Sequence, residues 1–133
     1  PLLVHTAPQP VPQTWLAAHG ITESMDEAVL EDPDGDGDPT WREYILDTDP
    51  TDNESALRTC LEASTDAPSL VIRFGPASTE RRYTLQATTD LGGDDWQPVP
   101  GHGPRPGSGG EDSMTVPLPE NGRMFYRLRV TVP

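Results

Sequence analysis

Met124-Phe125-Tyr126-Arg127-Leu128-Arg129-Val130-Thr131-Val132 is the stretch whose pattern decides the fold class. Met124, Tyr126, Leu128, Val130 and Val132 alternate with Phe125, Arg127, Arg129 and Thr131. A period of two belongs to a strand, whose successive side chains point to opposite faces. Apolar residues on one face and arginines on the other predict a half-buried antiparallel strand with a wet side. Upstream, Leu70, Ile72 and Phe74 alternate with Val71 and Arg73. Tyr83, Leu85 and Ala87 alternate with Arg82, Thr84, Gln86 and Thr88, and Met114, Val116 and Leu118 with Thr115 and Pro117. A short strand fits Trp96 to Val99. Turn-forming clusters separate these runs: Gly92-Gly93-Asp94-Asp95, a glycine- and proline-rich stretch from Pro100 to Gly110, and Glu120-Asn121-Gly122. Residues 58–133 therefore predict a small antiparallel β-sandwich, and the chain as a whole reads as mostly β with a small α segment.

The N-terminal part follows other rules. Residues 1–13 carry four prolines and no charge, which suits an extended linker or the tail of a preceding domain. Residues 14–57 read as a helical segment. Trp15 to Gly20 predicts a short helix with Thr14 as N-cap and Gly20 as its stop. Ser24 to Glu31 allows another turn or two, with Ser24 and Glu27 at capping-box spacing. Trp41 to Leu46 predicts a third helix, with Trp41, Tyr44 and Ile45 on one face.

Between the second and third of these lies Asp32-Pro33-Asp34-Gly35-Asp36-Gly37-Asp38-Pro39-Thr40-Trp41-Arg42-Glu43. Alternating aspartates on a tightly curved backbone aim successive carboxylates at one centre. Gly37 permits a turn that a β-carbon resists. Glu43 falls one turn into the following helix, where it can close the shell with two oxygens. Asp38 would lend its backbone carbonyl, and Thr40 its hydroxyl oxygen or a bridging water. A hard cation that takes six to eight oxygens, Ca2+, suits such a set. Asp32, Asp34, Asp36, Asp38, Thr40 and Glu43 are the candidate ligands; a flexible acidic linker is the plainer alternative. Asp47, Asp49, Asp52 and Glu54 offer a second, weaker set, for which turn capping is the simpler reading.

Charge placement agrees. The net charge is −13, and Thr22 to Glu54 holds 13 acids against the single base Arg42. Such a concentration repels nucleic acid and anionic lipid and attracts cations. With one cysteine, Cys60, the chain forms no internal disulfide, so a metal is the staple left to a small core. No run approaches the ~18 apolar residues of a membrane span. A first residue of Pro rather than Met reads as a piece of a longer protein.

The loop matches D-x-[DN]-x-[DN]-G-x5-E, the EF-hand calcium signature, at Asp32, Asp34, Asp36, Gly37 and Glu43. It departs from paired EF-hands at Pro39, which has no N–H to bridge to a sister loop, and the chain holds no second full loop. It resembles the solitary loops of dockerins and thrombospondin type 3 repeats. The run Trp15…His19-Gly20-Ile21, DPDGDG, Glu43-Tyr44-Ile45-Leu46 and Thr48-Asp49-Pro50-Thr51-Asp52 resembles a calcium-binding segment of large secreted bacterial proteins. The second half, with Tyr83-Thr84-Leu85-Gln86, Trp96-Gln97-Pro98-Val99 and Phe125-Tyr126-Arg127-Leu128, resembles its companion β-module, fibronectin type III-like in architecture. The resemblance implies a non-enzymatic accessory module of a secreted or cell-surface protein, its partner the rest of its own parent chain. A binding module for a protein or a polysaccharide is the alternative.

Other chemistry is poorly served. There is no G-x-S-x-G, H-E-x-x-H or phosphate loop. His5, His19 and His102 show no ligand spacing, and Cys60 has no evident partner. Trp15, Trp41 and Trp96 suit core packing better than a sugar platform. The Asp-Pro bonds at 32–33, 38–39 and 49–50 raise calcium-triggered self-cleavage as a remote third reading.

Overall fold

The computed structural model describes residues 3–6, 10–64, 68–118 and 124–133. The chain is mostly β, with antiparallel sheets and a few short helices. The expected turn at Glu120-Asn121-Gly122 lies outside the described residues.

Three helices come first among the regular elements after a short strand. Strand β1 is Leu3–Thr6, helix α1 is Gln13–Ala18, α2 is Met25–Ala28 and α3 is Thr40–Leu46. Helix α1 starts before the expected cap. Pro12 stands at its N-cap, and the Pro12 carbonyl accepts from Trp15 and Leu16 N–H at 3.1 and 3.2 Å. Thr14 thus lies inside the helix. Gly20 ends it as expected, at φ +79°, where a side chain would be strained. Ser24 does precede α2, but it sits in left-handed backbone and its hydroxyl makes no cap bond. Its carbonyl takes the Glu27 and Ala28 N–H groups instead.

The strands follow the alternation where one face is buried. β3 is Ser69–Gly75, β4 Arg82–Thr88, β7 Asp112–Pro117 and β8 Phe125–Thr131. Ile72, Phe74, Tyr83, Leu85, Met114, Val116, Leu128 and Val130 are the buried members, as the period of two requires. Two short strands accompany β4: β5, Gln97–Pro98, and β6, Arg105–Pro106. The sequence showed no sign of β6, which lies in the glycine- and proline-rich stretch. Nor did it show β2, Arg58–Ala63, whose Cys60, Leu61 and Glu62 are all exposed.

Two sheets result. One runs β1-β8-β4-β5, with β6 also on β4; the other runs β2-β3-β7. All pairings are antiparallel except β1 with β8. Leu3–Thr6, expected as uncommitted linker, is therefore a sheet strand, in register from Leu3↔Arg127 to Thr6↔Val130. The hydrophobic core draws on both sheets and on Ile45 and Leu46 of α3. The Phe74 and Tyr83 rings, from different sheets, have centroids 5.2 Å apart. Trp41 and Tyr44 pack at the margin of this core, so the apolar face of α3 is used internally.

Candidate metal centre

Backbone N–H groups shape the loop ahead of α3. Both Asp32 carboxylate oxygens accept, one from Gly35 N–H at 2.9 Å and the other from Gly37 N–H at 2.9 Å. Asp34 accepts from Asp36 N–H at 3.2 Å, and Asp36 from Asp38 N–H at 2.8 Å. Each aspartate thereby closes a turn around itself, which curves the chain and gathers the side chains. Gly37, at φ +99°, supplies the bend. Ligand oxygens of Asp32, Asp34 and Asp36 lie within 4.8 Å of one another, the one acidic group of this kind among the described residues.

The loop is latched where its ends meet. Thr40 N–H and the Thr40 hydroxyl both donate to the Glu31 carbonyl, at 2.9 and 3.0 Å, and Trp41 N–H donates to the Val29 carbonyl at 2.9 Å. Thr40 is fully buried, and its hydroxyl proton serves this latch. Asp38 turns its carboxylate toward Arg42, with Nε 2.8 Å away at the i, i+4 spacing of α3. The Asp38 side chain therefore stands apart from the aspartate group.

Glu43, in the first turn of α3, is not one of this close group of three, but the charges of Asp34 and Asp36 act on it. The residue is 0% exposed, and neither carboxylate oxygen has a hydrogen-bond partner. The second oxygens of Asp34 and Asp36 are buried and unpartnered as well. Buried carboxylates are normally paired, hydrogen-bonded or metal-bound, since each unsatisfied charge is expensive. Burial, and then the charges of Asp34, Asp36, Asp38 and Asp32, push the Glu43 carboxyl up to about 9. Burial raises Asp34 too, with its neighbours adding to the effect. Asp38 is raised by burial against the pull of Arg42. Asp32 is lowered, chiefly by the Gly37 N–H. A cation at this point would meet carboxylate oxygens that nothing else satisfies.

The second acidic set behaves differently. Asp49 accepts from Thr51 N–H and hydroxyl at 3.0 and 2.7 Å, which lowers its carboxyl, and Asp52 accepts from Glu54 N–H at 3.0 Å. These are turn caps. Asp47 ends α3 in left-handed backbone and faces Ser78 and Arg81. His19 contacts the Trp15 carbonyl at 2.9 Å, and His102 lies between the Pro100 and Thr115 carbonyls. Trp15 packs on His19 and Tyr44, while Trp96 lies under the Arg127 guanidinium. These two tryptophans thus meet different neighbours and form no shared platform. Cys60 is exposed, with Sγ 3.6 Å from a Glu62 carboxylate oxygen.

Arg81 is the functional-site neighbour that the sequence did not disclose. From the turn before β4 its guanidinium donates to the Tyr44 and Ile45 carbonyls at the end of α3. No helix among the described residues is long and apolar enough to cross a membrane. No family model matches the chain, and neither a curated protein nor a solved structure does.

Proposed function

We propose that the loop from Asp32 to Glu43 binds one calcium ion and that the ion serves structure rather than catalysis. The observation that carries this reading is the Glu43 carboxylate, wholly buried and without a partner on either oxygen, in the field of Asp34 and Asp36, each of which has a buried free oxygen of its own. A divalent cation would satisfy all of these at once and cancel the repulsion among them. Carboxylate oxygens without nitrogen or sulfur ligands favour a hard cation, and a flexible loop favours calcium over the smaller, stricter magnesium. Asp32, Asp34, Asp36 and Glu43 would hold the ion through carboxylates, and Asp38 through its backbone carbonyl. Thr40 would act by keeping the loop closed.

In this reading the chain is a calcium-stabilised, non-enzymatic accessory module of a larger secreted or cell-surface protein. Its two sheets, sharing one core across the Phe74–Tyr83 contact, would form a fibronectin type III-like sandwich to which α3 is fixed. Use of the Trp41, Tyr44 and Ile45 face inside the molecule supports a structural clasp over a dockerin-like partner surface.

Calorimetric titration with calcium, together with melts in calcium and in chelator, tests the proposal. Binding heat and a rise in Tm are expected, by an amount equivalent to ~2.7 kcal/mol at a hundredfold excess over Kd. Asp34→Ala and Glu43→Ala should each remove both effects. Equal melting with and without calcium, and no heat, would overturn the proposal.

A further inference from the structure

Arg81 is 7% exposed and its guanidinium spends its donors on the end of α3. Nε reaches the Ile45 carbonyl at 3.0 Å and the Tyr44 carbonyl at 3.3 Å; Nη2 reaches the Tyr44 carbonyl at 2.8 Å. Nη1 donates to the Glu80 carbonyl of its own turn at 3.0 Å. The group also lies over the Tyr44 ring, 5.0 Å from its centroid, and 3.7 Å from an Asp47 oxygen. Terminal helix carbonyls lack intrahelical partners and carry partial negative charge, so a buried guanidinium there is doubly favoured. The same turn grips Asp47 again through the Ser78 hydroxyl. Ser78 N–H in turn donates at 2.8 Å to the hydroxyl of Tyr83, a ring buried at the centre of the core.

Glu43 directly precedes Tyr44 in the same short helix. Its carbonyl accepts from Thr48 N–H at 3.0 Å, directly before the two carbonyls that Arg81 holds. A helix of seven residues has little stability of its own. It is held at one end by the latch of Thr40 and Trp41 and at the other by Arg81. We propose that Arg81 is a positioning residue for the cation: it fixes α3 so that Glu43 is presented to the loop before the ion arrives. Cation occupancy and the order of the turn from Ser78 to Tyr83 then rise and fall together. This inference rests on the calcium reading and adds the route by which the ion stabilises the sheets. Coupling of this kind is reciprocal, so whatever Arg81 does for calcium, calcium does for the turn.

Calorimetric calcium titration of the full chain, its Arg81→Met and Arg81→Lys variants, and a core control, Val116→Ala, separates the outcomes. Arg81→Met is expected to bind calcium about tenfold more weakly, a typical size for coupled sites. Arg81→Lys, which keeps the charge but not the fork, should fall between. Val116→Ala should melt earlier yet keep the calcium Kd, because α3 packs chiefly against β1 and β8 rather than against β7. No calcium heat in the unaltered protein would overturn both the calcium reading and this one. Normal binding in the unaltered protein and an unchanged Kd in a folded Arg81→Met would overturn this inference alone. Should Arg81→Met fail to fold, amide hydrogen exchange of the unaltered protein decides. Slower exchange at residues 78–83 on adding calcium supports the coupling, and unchanged exchange there overturns it.

Discussion

Glu43→Gln keeps the shape of the side chain and removes its charge, and it should move stability in opposite directions with and without calcium. In the metal-free protein the carboxyl of Glu43 titrates at about 9 instead of its ordinary 4.5. At pH 7 the folded state therefore holds it protonated, while the unfolded chain holds it ionised. Drawing that proton from neutral solution costs about 3 kcal/mol, at 1.36 kcal/mol per pH unit below neutrality. Glutamine carries no such cost and adds no charge to those of Asp34 and Asp36. The variant should then be the more stable of the two in chelator, by up to about 3 kcal/mol, which corresponds to a Tm shift on the order of 10 °C. Water entering a loosened loop makes this an upper limit. Calcium reverses the ranking, because the variant has lost the closing carboxylate. The unaltered protein gains about 4 kcal/mol at a thousandfold excess over Kd, enough to overtake. Thermal melts by circular dichroism at pH 7, in chelator and along a calcium series, should show the two curves crossing. A variant that melts below the unaltered protein in chelator, or that gains as much from calcium, would refute the argument.

The pH dependence in chelator carries a definite sign. Between about pH 5 and pH 9 the folded state binds a proton at Glu43 that the unfolded state does not, so stability falls as pH rises through this window. Calcium, displacing that proton, should release about one proton near pH 7, measurable by titration calorimetry in buffers of different ionisation enthalpy. Asp52→Ala removes only the turn cap to Glu54 N–H, so a loss of roughly 0.5–1 kcal/mol in a chemical melt is expected, with calcium affinity unchanged. Altered affinity would return Asp52 to the list of ligands. Gly103→Ala places a β-carbon 2.2 Å from the Tyr83 carbonyl oxygen at φ +103°, so the variant should lose more than about 3 kcal/mol or fail to fold, read by urea unfolding.

What could be read from the sequence was what repeats locally. Alternation exposed β3, β4, β7 and β8 because each turns its apolar residues to the core and its polar ones away, even where, as at Gln86 and Thr88, the polar side is covered too. It could not expose β2, which is wet along Cys60, Leu61 and Glu62 and so has no contrast to alternate. β6 is two residues long, too short for any period. The pairing of Leu3–Thr6 with β8 joins opposite ends of the chain, and four prolines nearby masked it. The loop residues announce themselves because acids and a glycine recur at fixed offsets from one another. Arg81 does not, for its partners Tyr44 and Ile45 lie 37 and 36 residues away and one arginine after a turn has no pattern. Thr14 and Ser24 show the limit of capping rules: neighbouring carbonyls of Pro12 and Ser24 served the N–H groups that hydroxyls were expected to meet.

The parallel pairing of β1 with β8 has a mechanical meaning. Leu3–Thr6 and Phe125–Thr131 run in the same direction, yet one lies near the start of the chain and the other near its finish. Tension applied through the two ends drags these neighbours along their length in opposite senses. Their hydrogen bonds then resist together, in shear, rather than opening one by one like a zipper. Between Leu3 and Phe125 lie the loop at 32–43, α3 and the remaining strands of both sheets, all shielded from the load until that seam gives way.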